Sequence, residues 1–196
     1  MTLIKTSLLS AIAVVVKMIT MLGINKVLAI YVGPAGYAAI GQFQNAVQMI
    51  TTFASGAINT GVTRYTAEYD GDEGKQRLVW KTAGTIALVG SIFTASLIII
   101  FNQKLSVLIL NDIKYGGVFI WFAVTLCFFT LNSLLIAVLN GKKEIGLYVA
   151  ANISGSLFAL IVTVFMSIQF GLYGALVALA VYQSLSFFVT FLSQLG

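Results

Sequence analysis

The chain has 196 residues, 59% of them hydrophobic and only 9% charged, with a mean hydropathy of +1.00. A soluble domain carries about 25% charged residues, so this chain lacks the polar surface to cover a globule, and lipid must be its solvent. With no histidine and one cysteine, a zinc cluster, a Ser-His-Asp triad and a Cys-His dyad are excluded within it, and its net charge of +5 reads as membrane orientation, not nucleic-acid binding.

A spanning helix needs about 20 mostly apolar residues, so the length predicts an all-α integral membrane protein of six spans in a single lobe, residues 1–196. Span 1 runs about 6–31 and contains Lys17 and Lys26. Lys5 and the apolar stretch Leu8 to Val16 have the form of a signal peptide. Lys17 interrupts that stretch and the apolar run resumes to Tyr31, so an uncleaved span is expected. Gly33-Pro34-Ala35-Gly36 is a turn that opens span 2, about 35–65. The charged segment Glu68 to Lys81 is an expected aqueous loop before span 3, about 82–101. A second polar loop, Asn102 to Tyr115, precedes span 4, about 118–139, where Cys127 sits among Phe, Leu and Val as a packing residue. Asn140 to Glu144 forms a wet turn. The uncharged remainder suits two spans, about 145–168 and 173–194, reversing at the glycines of Gln169 to Gly174.

With six spans both termini share a side. That side carries Lys5, Arg64, Lys75, Arg77, Lys81, Lys142 and Lys143, against Lys104 and Lys114 opposite, which predicts cytoplasmic termini.

Span 2 carries a polar stripe. At about 100° per residue, Asn45, Gln48, Thr52, Ser55 and Asn59 fall within about 40° of a line through Gly41. Gln42 and Gln44 flank it. Lipid cannot satisfy amides, so the stripe faces protein or water: either helix–helix hydrogen bonding or a water-filled cavity. Asn152, Ser156 and Thr163 share a face of span 5, Gln183, Ser186 and Thr190 one of span 6, and Thr125 and Asn132 one of span 4. A ring of such spans around a polar interior is a transporter pattern.

Lys17 lies near the middle of span 1, on a face with Thr6, Ser10 and Thr20. An ammonium there costs a few kcal/mol even on permissive insertion scales. No Asp or Glu falls within any expected span to pair with it. An anionic ligand answers that imbalance, and a lipid diphosphate has the right form, with an anionic head and a tail that stays in the bilayer. Lys26 is on the opposite side of the helix, near its outer end, and snorkels to the interface or joins the same cavity.

At these residues the sequence resembles the bacterial O-antigen and enterobacterial common antigen (lipid III) flippases of the multidrug/oligosaccharidyl-lipid/polysaccharide (MOP) exporter superfamily. The carriers are Met1 to Ser7, Lys17, Lys26, Gly33-Pro34-Ala35-Gly36, Gly41-Gln42-Phe43, Gly61 to Tyr65 and Gly174-Ala175-Leu176. The resemblance covers the whole chain, aligned with the family's N-terminal half. It implies one lobe of a twelve-helix transporter in a bacterial inner membrane. It implies a substrate of undecaprenyl-diphosphate-linked oligosaccharide, flipped from the cytoplasmic to the periplasmic leaflet by alternating access. Lys17 matches a cationic cavity position; that Asn45, Gln48, Thr52 and Asn59 line the same cavity is the expectation from the stripe's periodicity. No cofactor, metal or catalytic residue is implied. The expected partners are the lipid-linked substrate, membrane lipids, and either a missing C-terminal lobe or a second copy. The rivals are a multidrug antiporter, which wants an intramembrane carboxylate, a membrane glycosyltransferase, and a non-transporting assembly subunit.

Overall fold

The computed structural model describes residues 3–55 and 58–192. They form five α-helices: α1 (Leu3–Ala54), α2 (Asn59–Glu68), α3 (Glu73–Leu110), α4 (Gly116–Gly141) and α5 (Ile145–Leu192), with a single 3-10 turn at Ile113–Tyr115. The expected six separate helices are therefore not found. Expected spans 1 and 2 are joined in α1 and expected spans 5 and 6 in α5, each across a break in helical geometry.

The breaks fall at the expected turns. Gly33 has φ 73°, ψ 175° and Gly171 has φ 55°, ψ −135°, values open to glycine because it lacks a Cβ. Helical hydrogen bonding resumes at once on both sides, which is why the turns leave no loop. They are nonetheless reversals. Lys17 and Gln44 line one cleft, as do Asn152 and Tyr182. At about 1.5 Å per residue, unbroken helices would hold each pair about 40 Å apart or more. At the second reversal a Cβ on Gly174 would strike the Met166 carbonyl.

Two further boundaries differ from the sequence expectation. Expected span 2 does not run unbroken to residue 65. Its polar end is a separate helix, α2, tied to α4 by Asn59 Nδ2 donating to Ser133 Oγ (2.6 Å) and Thr63 Oγ1 donating to the Ala137 carbonyl (3.1 Å). The expected loops on either side of span 3 are largely helical, because α3 extends over both. Asp72 starts it, accepting from the Lys75 amide at 3.1 Å and pairing with the Lys75 ammonium at 3.0 Å. The Lys75 amide and then its ammonium hold the Asp72 carboxyl below the ordinary carboxylate range. Asn111, in the left-handed region at φ 54°, closes the helix.

Among the described residues, four stretches are long and apolar enough to cross a membrane: Ala11–Ala54, Glu73–Leu110, Ile113–Gly141 and Ile145–Tyr182. The core lies where α1, α3, α4 and α5 meet. Phe43 packs edge-on against Phe119 (5.5 Å) and Phe122 (6.5 Å), beside buried Leu28, Ile40, Leu126 and Leu176. The outside is apolar as well, with Leu22, Ile30, Phe53, Ile100 and Leu108 exposed. Such a surface belongs in lipid. At one end Lys142 lies over the Trp80 ring (4.9 Å), and Trp80 donates to Thr66 Oγ1 (2.9 Å), a polar-aromatic arrangement suited to the membrane interface.

Candidate functional site

Lys17 opens onto a cleft of about 240 Å³ between α1, α4 and α5. Its face of α1 is set by helical spacing: Lys17, Met21 and Ile24 stand four and three residues apart. Gln44 enters from the second half of α1 after the Gly33 reversal. Asn132 comes from α4, and Asn152 and Ser156 from α5. Thr20, Asn25 and Tyr182 complete the polar lining. Four carboxamides thus surround one cation.

No ion pair among the described residues includes Lys17. Those present, Arg64–Glu68, Lys75–Asp72 and Lys142–Glu144, all lie at helix ends or turns. The chain's six carboxylates, Glu68, Asp70, Asp72, Glu73, Asp112 and Glu144, fall in the same places. Electrostatically, the cleft is a cation with neutral dipoles around it. Among the described residues no cluster of His, Cys, Asp or Glu is placed to hold a metal.

The stripe residues are not in this cleft. Asn45, Gln48 and Thr52 are exposed and share a shallow groove with Met49 and Phe53. Thr52 also borders a small hollow of about 150 Å³ with Ser55 and Asn59, where Asn59 is bound to Ser133 of α4. Asn45, Gln48 and Thr52 are turned away from the core because Phe43, Val47, Ile50 and Ala54 occupy the other side of the same helix, whereas Ser55, further along the stripe, is buried. Thr52 Oγ1 donates to the Gln48 carbonyl (2.8 Å), so this hydroxyl is satisfied within its own helix. Lys26 is exposed and does not border the Lys17 cleft.

The remaining polar faces divide between two uses. Ser91 Oγ and Thr130 Oγ1 meet at 2.6 Å between α3 and α4, and Ser184 Oγ donates to the Thr125 carbonyl (2.8 Å) between α5 and α4. These join helices. Asn132, Asn152 and Ser156 instead line the cleft, while Thr163 is buried. The side chains of Thr6, Ser10, Gln183, Ser186 and Thr190 lie outside the described residues. Asn25 and Tyr182 carried no signal in the sequence reading. Asn25 stands eight residues after Lys17, about 80° around the helix, a spacing that could have marked it.

No protein-family model matches the chain. It is 28% identical over 186 residues to the lipid III flippase of Escherichia coli (strain K12), covering 94% of this chain and 44% of that protein. The lipid III flippase of Shigella flexneri gives the same identity and coverage. The chain thus spans less than half the length of the curated relatives it matches. Among solved structures, that of a MATE proline-to-alanine mutant superposes with a TM-score of 0.72 at 17% identity, over 95% of this chain and 43% of that one. The chain is a multi-pass membrane protein that resembles, in sequence, part of a lipid III flippase, and has the fold of one part of a MATE protein.

Proposed function

We propose that this chain is the N-terminal lobe of a transporter that flips undecaprenyl-diphosphate-linked oligosaccharide, an O-antigen or enterobacterial common antigen repeat, from the cytoplasmic to the periplasmic leaflet of a bacterial inner membrane. The reversals at Gly33 and Gly171 turn α1 and α5 into hairpins, giving six crossings with both termini cytoplasmic. The lobe works by alternating access and carries no catalytic residue or cofactor.

One observation carries the reading. Lys17 opens onto a carboxamide-lined cleft without a carboxylate. Such a site favours an anion over the cation an antiporter would hold, and a lipid diphosphate is an anion that reaches it from the bilayer. The outward stripe Asn45, Gln48 and Thr52 supports the two-lobed part of the reading. Lipid cannot satisfy its amides, so a second lobe or a second copy stands across a wet space from it. Lys26 plays a lesser part, at the outer interface.

Complementation tests the function. A flippase-deficient strain given a complete transporter with this chain as its first lobe is expected to regain surface polysaccharide. The chain alone is expected not to restore it, because half the cavity wall is absent. Failure of the complete transporter sinks the reading, while success of the chain alone makes two copies the working unit.

Cysteine labelling tests the topology and the stripe. In a Cys127→Ala background, cysteines replacing Lys114 and Gln169 are expected to react with an impermeant thiol reagent in intact cells, and cysteines replacing Asp70 and Lys143 are not. The reverse pattern would invert the model. Cysteines at Asn45 and Gln48 are expected to react with a small hydrophilic reagent that spares Val47, which packs on the core. Uniform protection would mean that the stripe is covered by packed protein.

A further inference from the structure

The second half of α1 and the C-terminal end of α3 leave a furrow of about 370 Å³ between them, apart from the Lys17 cleft. Helical spacing makes its wall. Leu97, Ile98, Phe101, Leu105 and Leu108 fall on one face of α3, and Ile50 stands across from them on α1. The helix is broken at Phe101 (φ −103°, ψ 16°), where Asn102 Nδ2 donates to the Ile99 carbonyl at 2.6 Å. The furrow is open to the outside: Leu97 and Phe101 are exposed, and Leu108 is 79% exposed.

One cation stands in this apolar wall. The Lys104 ammonium lies over the Phe101 ring, 5.6 Å from its centre, and so stays at the furrow. Among the described residues no ion pair includes Lys104. The nearest carboxylate in sequence, Asp112, accepts from the Lys114 amide at 2.9 Å. Lys104 follows Lys81 by 23 residues, about 34 Å of helix, close to the ~30 Å thickness of a bilayer's hydrocarbon core. The lysine therefore lies at headgroup depth, and Leu97, two turns before it, at acyl-chain depth. A second lobe or copy facing the polar stripe does not cover the furrow. Ile50 stands about 180° around α1 from the line of Asn45, Gln48 and Thr52, so that partner leaves this side of the helix to lipid.

We propose that the furrow is a binding site for one anionic phospholipid of the surrounding membrane, its phosphate on Lys104 and one acyl chain against Leu97, Ile98 and Ile50. The volume is within the small-molecule pocket range of about 300–1,000 Å³ and suits a single chain, not a whole lipid. An anionic headgroup is preferred because a zwitterionic one sets its own cation beside the lysine. With α3 oriented as in the proposed topology, the lipid belongs to the outer leaflet. The site itself requires neither a second lobe nor a lipid-linked sugar.

Native mass spectrometry of the full chain, titrated with dioleoyl phosphatidylglycerol or dioleoyl phosphatidylcholine, tests the site. The tails are identical, so the headgroup alone differs. Phosphatidylglycerol is expected to bind about fivefold more tightly, the worth of one basic residue at an anionic membrane surface. Lys104→Ala is expected to erase that preference. Lys114→Ala and Lys17→Gln, which change cations outside the furrow, are expected to keep it. Thr94→Phe, which fills the furrow from its own wall, is expected to weaken both lipids alike, and Leu97→Phe serves if that variant does not fold. A preference that survives Lys104→Ala, or that falls equally with Lys114→Ala, overturns the site, since the attraction would then be a diffuse surface charge. Unchanged binding in both furrow-filling variants overturns the acyl-chain part. Undecaprenyl diphosphate that displaces phosphatidylglycerol and loses affinity in Lys104→Ala overturns the choice of occupant, since the furrow would then hold transported lipid. Loss of undecaprenyl diphosphate binding in Lys17→Gln alone bears on the proposed function and leaves this site standing.

Discussion

Lys17→Ala, made in a complete transporter built on this chain, is expected to lower the flipping rate by at least about thirtyfold. Removing one partner of a desolvated charge pair costs about 2–5 kcal/mol, and the lower figure already corresponds to that factor. Protein levels should not fall. Lys17 has no ion-pair partner among the described residues, so its removal breaks no internal salt bridge. Deleting an intramembrane charge eases insertion if it changes it at all. Lys17→Arg is expected to retain part of the activity, because a diphosphate accepts either cation, although the planar guanidinium presents its donors differently. Lys26→Ala should be much milder, since Lys26 stands outside the cleft. The measurement is transfer of a labelled lipid-linked oligosaccharide in proteoliposomes, normalised to reconstituted protein. A normal rate for Lys17→Ala would remove the anion-binding role and leave Lys17 a charge that the helix merely tolerates.

Gly90→Ala is expected to destabilise the fold strongly for a single methyl group. A Cβ at Gly90 would run into the backbone carbonyl of Ala54, where α3 crosses the end of the second half of α1. Backbone cannot move aside as a flexible side chain does, so the helices must separate around a buried seam that includes Ala54 and Ile98. Overpacking of this kind costs about 1–3 kcal/mol, and small residues are what allow membrane helices to approach so closely. Gly141→Ala should behave similarly, since its Cβ would lie 2.7 Å from the Thr63 carbonyl oxygen and 2.6 Å from Thr66 Cβ. Gly84→Ala is the control. It lies on the same helix as Gly90, its nearest contact is Leu134 Cδ2 at an ordinary 3.9 Å, and replacing a mid-helix glycine with alanine stabilises a helix by about 0.5–1 kcal/mol. Thermal unfolding in detergent should rank Gly90→Ala several degrees below the unaltered chain and Gly84→Ala level with it or above. Equal shifts for the two would mean that the α1–α3 seam is looser than the geometry shows.

The helix count was misread where sequence and hydrogen bonding obey different rules. Gly33 and Gly171 were legible as turns because glycine and proline punctuate a chain locally. The sequence did not show that helix would resume immediately on both sides, merging four expected spans into two helices. The extent of α3 was missed for a related reason. Glu73 to Lys81 is charged, and charge was read as loop, but charged residues form helix readily and Asp72 supplies the cap.

By itself the sequence determined the solvent, the turns and the unbalanced cation. These follow from composition and local chemistry: a chain so poor in charge needs lipid, and a lysine in an apolar run with no carboxylate nearby needs an answer. It also determined that Asn45, Gln48 and Thr52 share a line, since helical periodicity fixes faces within one helix. Only the tertiary structure decided where each face points. The rotation of a helix about its axis is set by packing against its neighbours. The seating of Phe43 between Phe119 and Phe122 turns the stripe outward, away from Lys17. The same packing, with the reversals at Gly33 and Gly171, brings Gln44, Asn132 and Asn152, all distant in sequence, to join nearby Asn25 around that lysine.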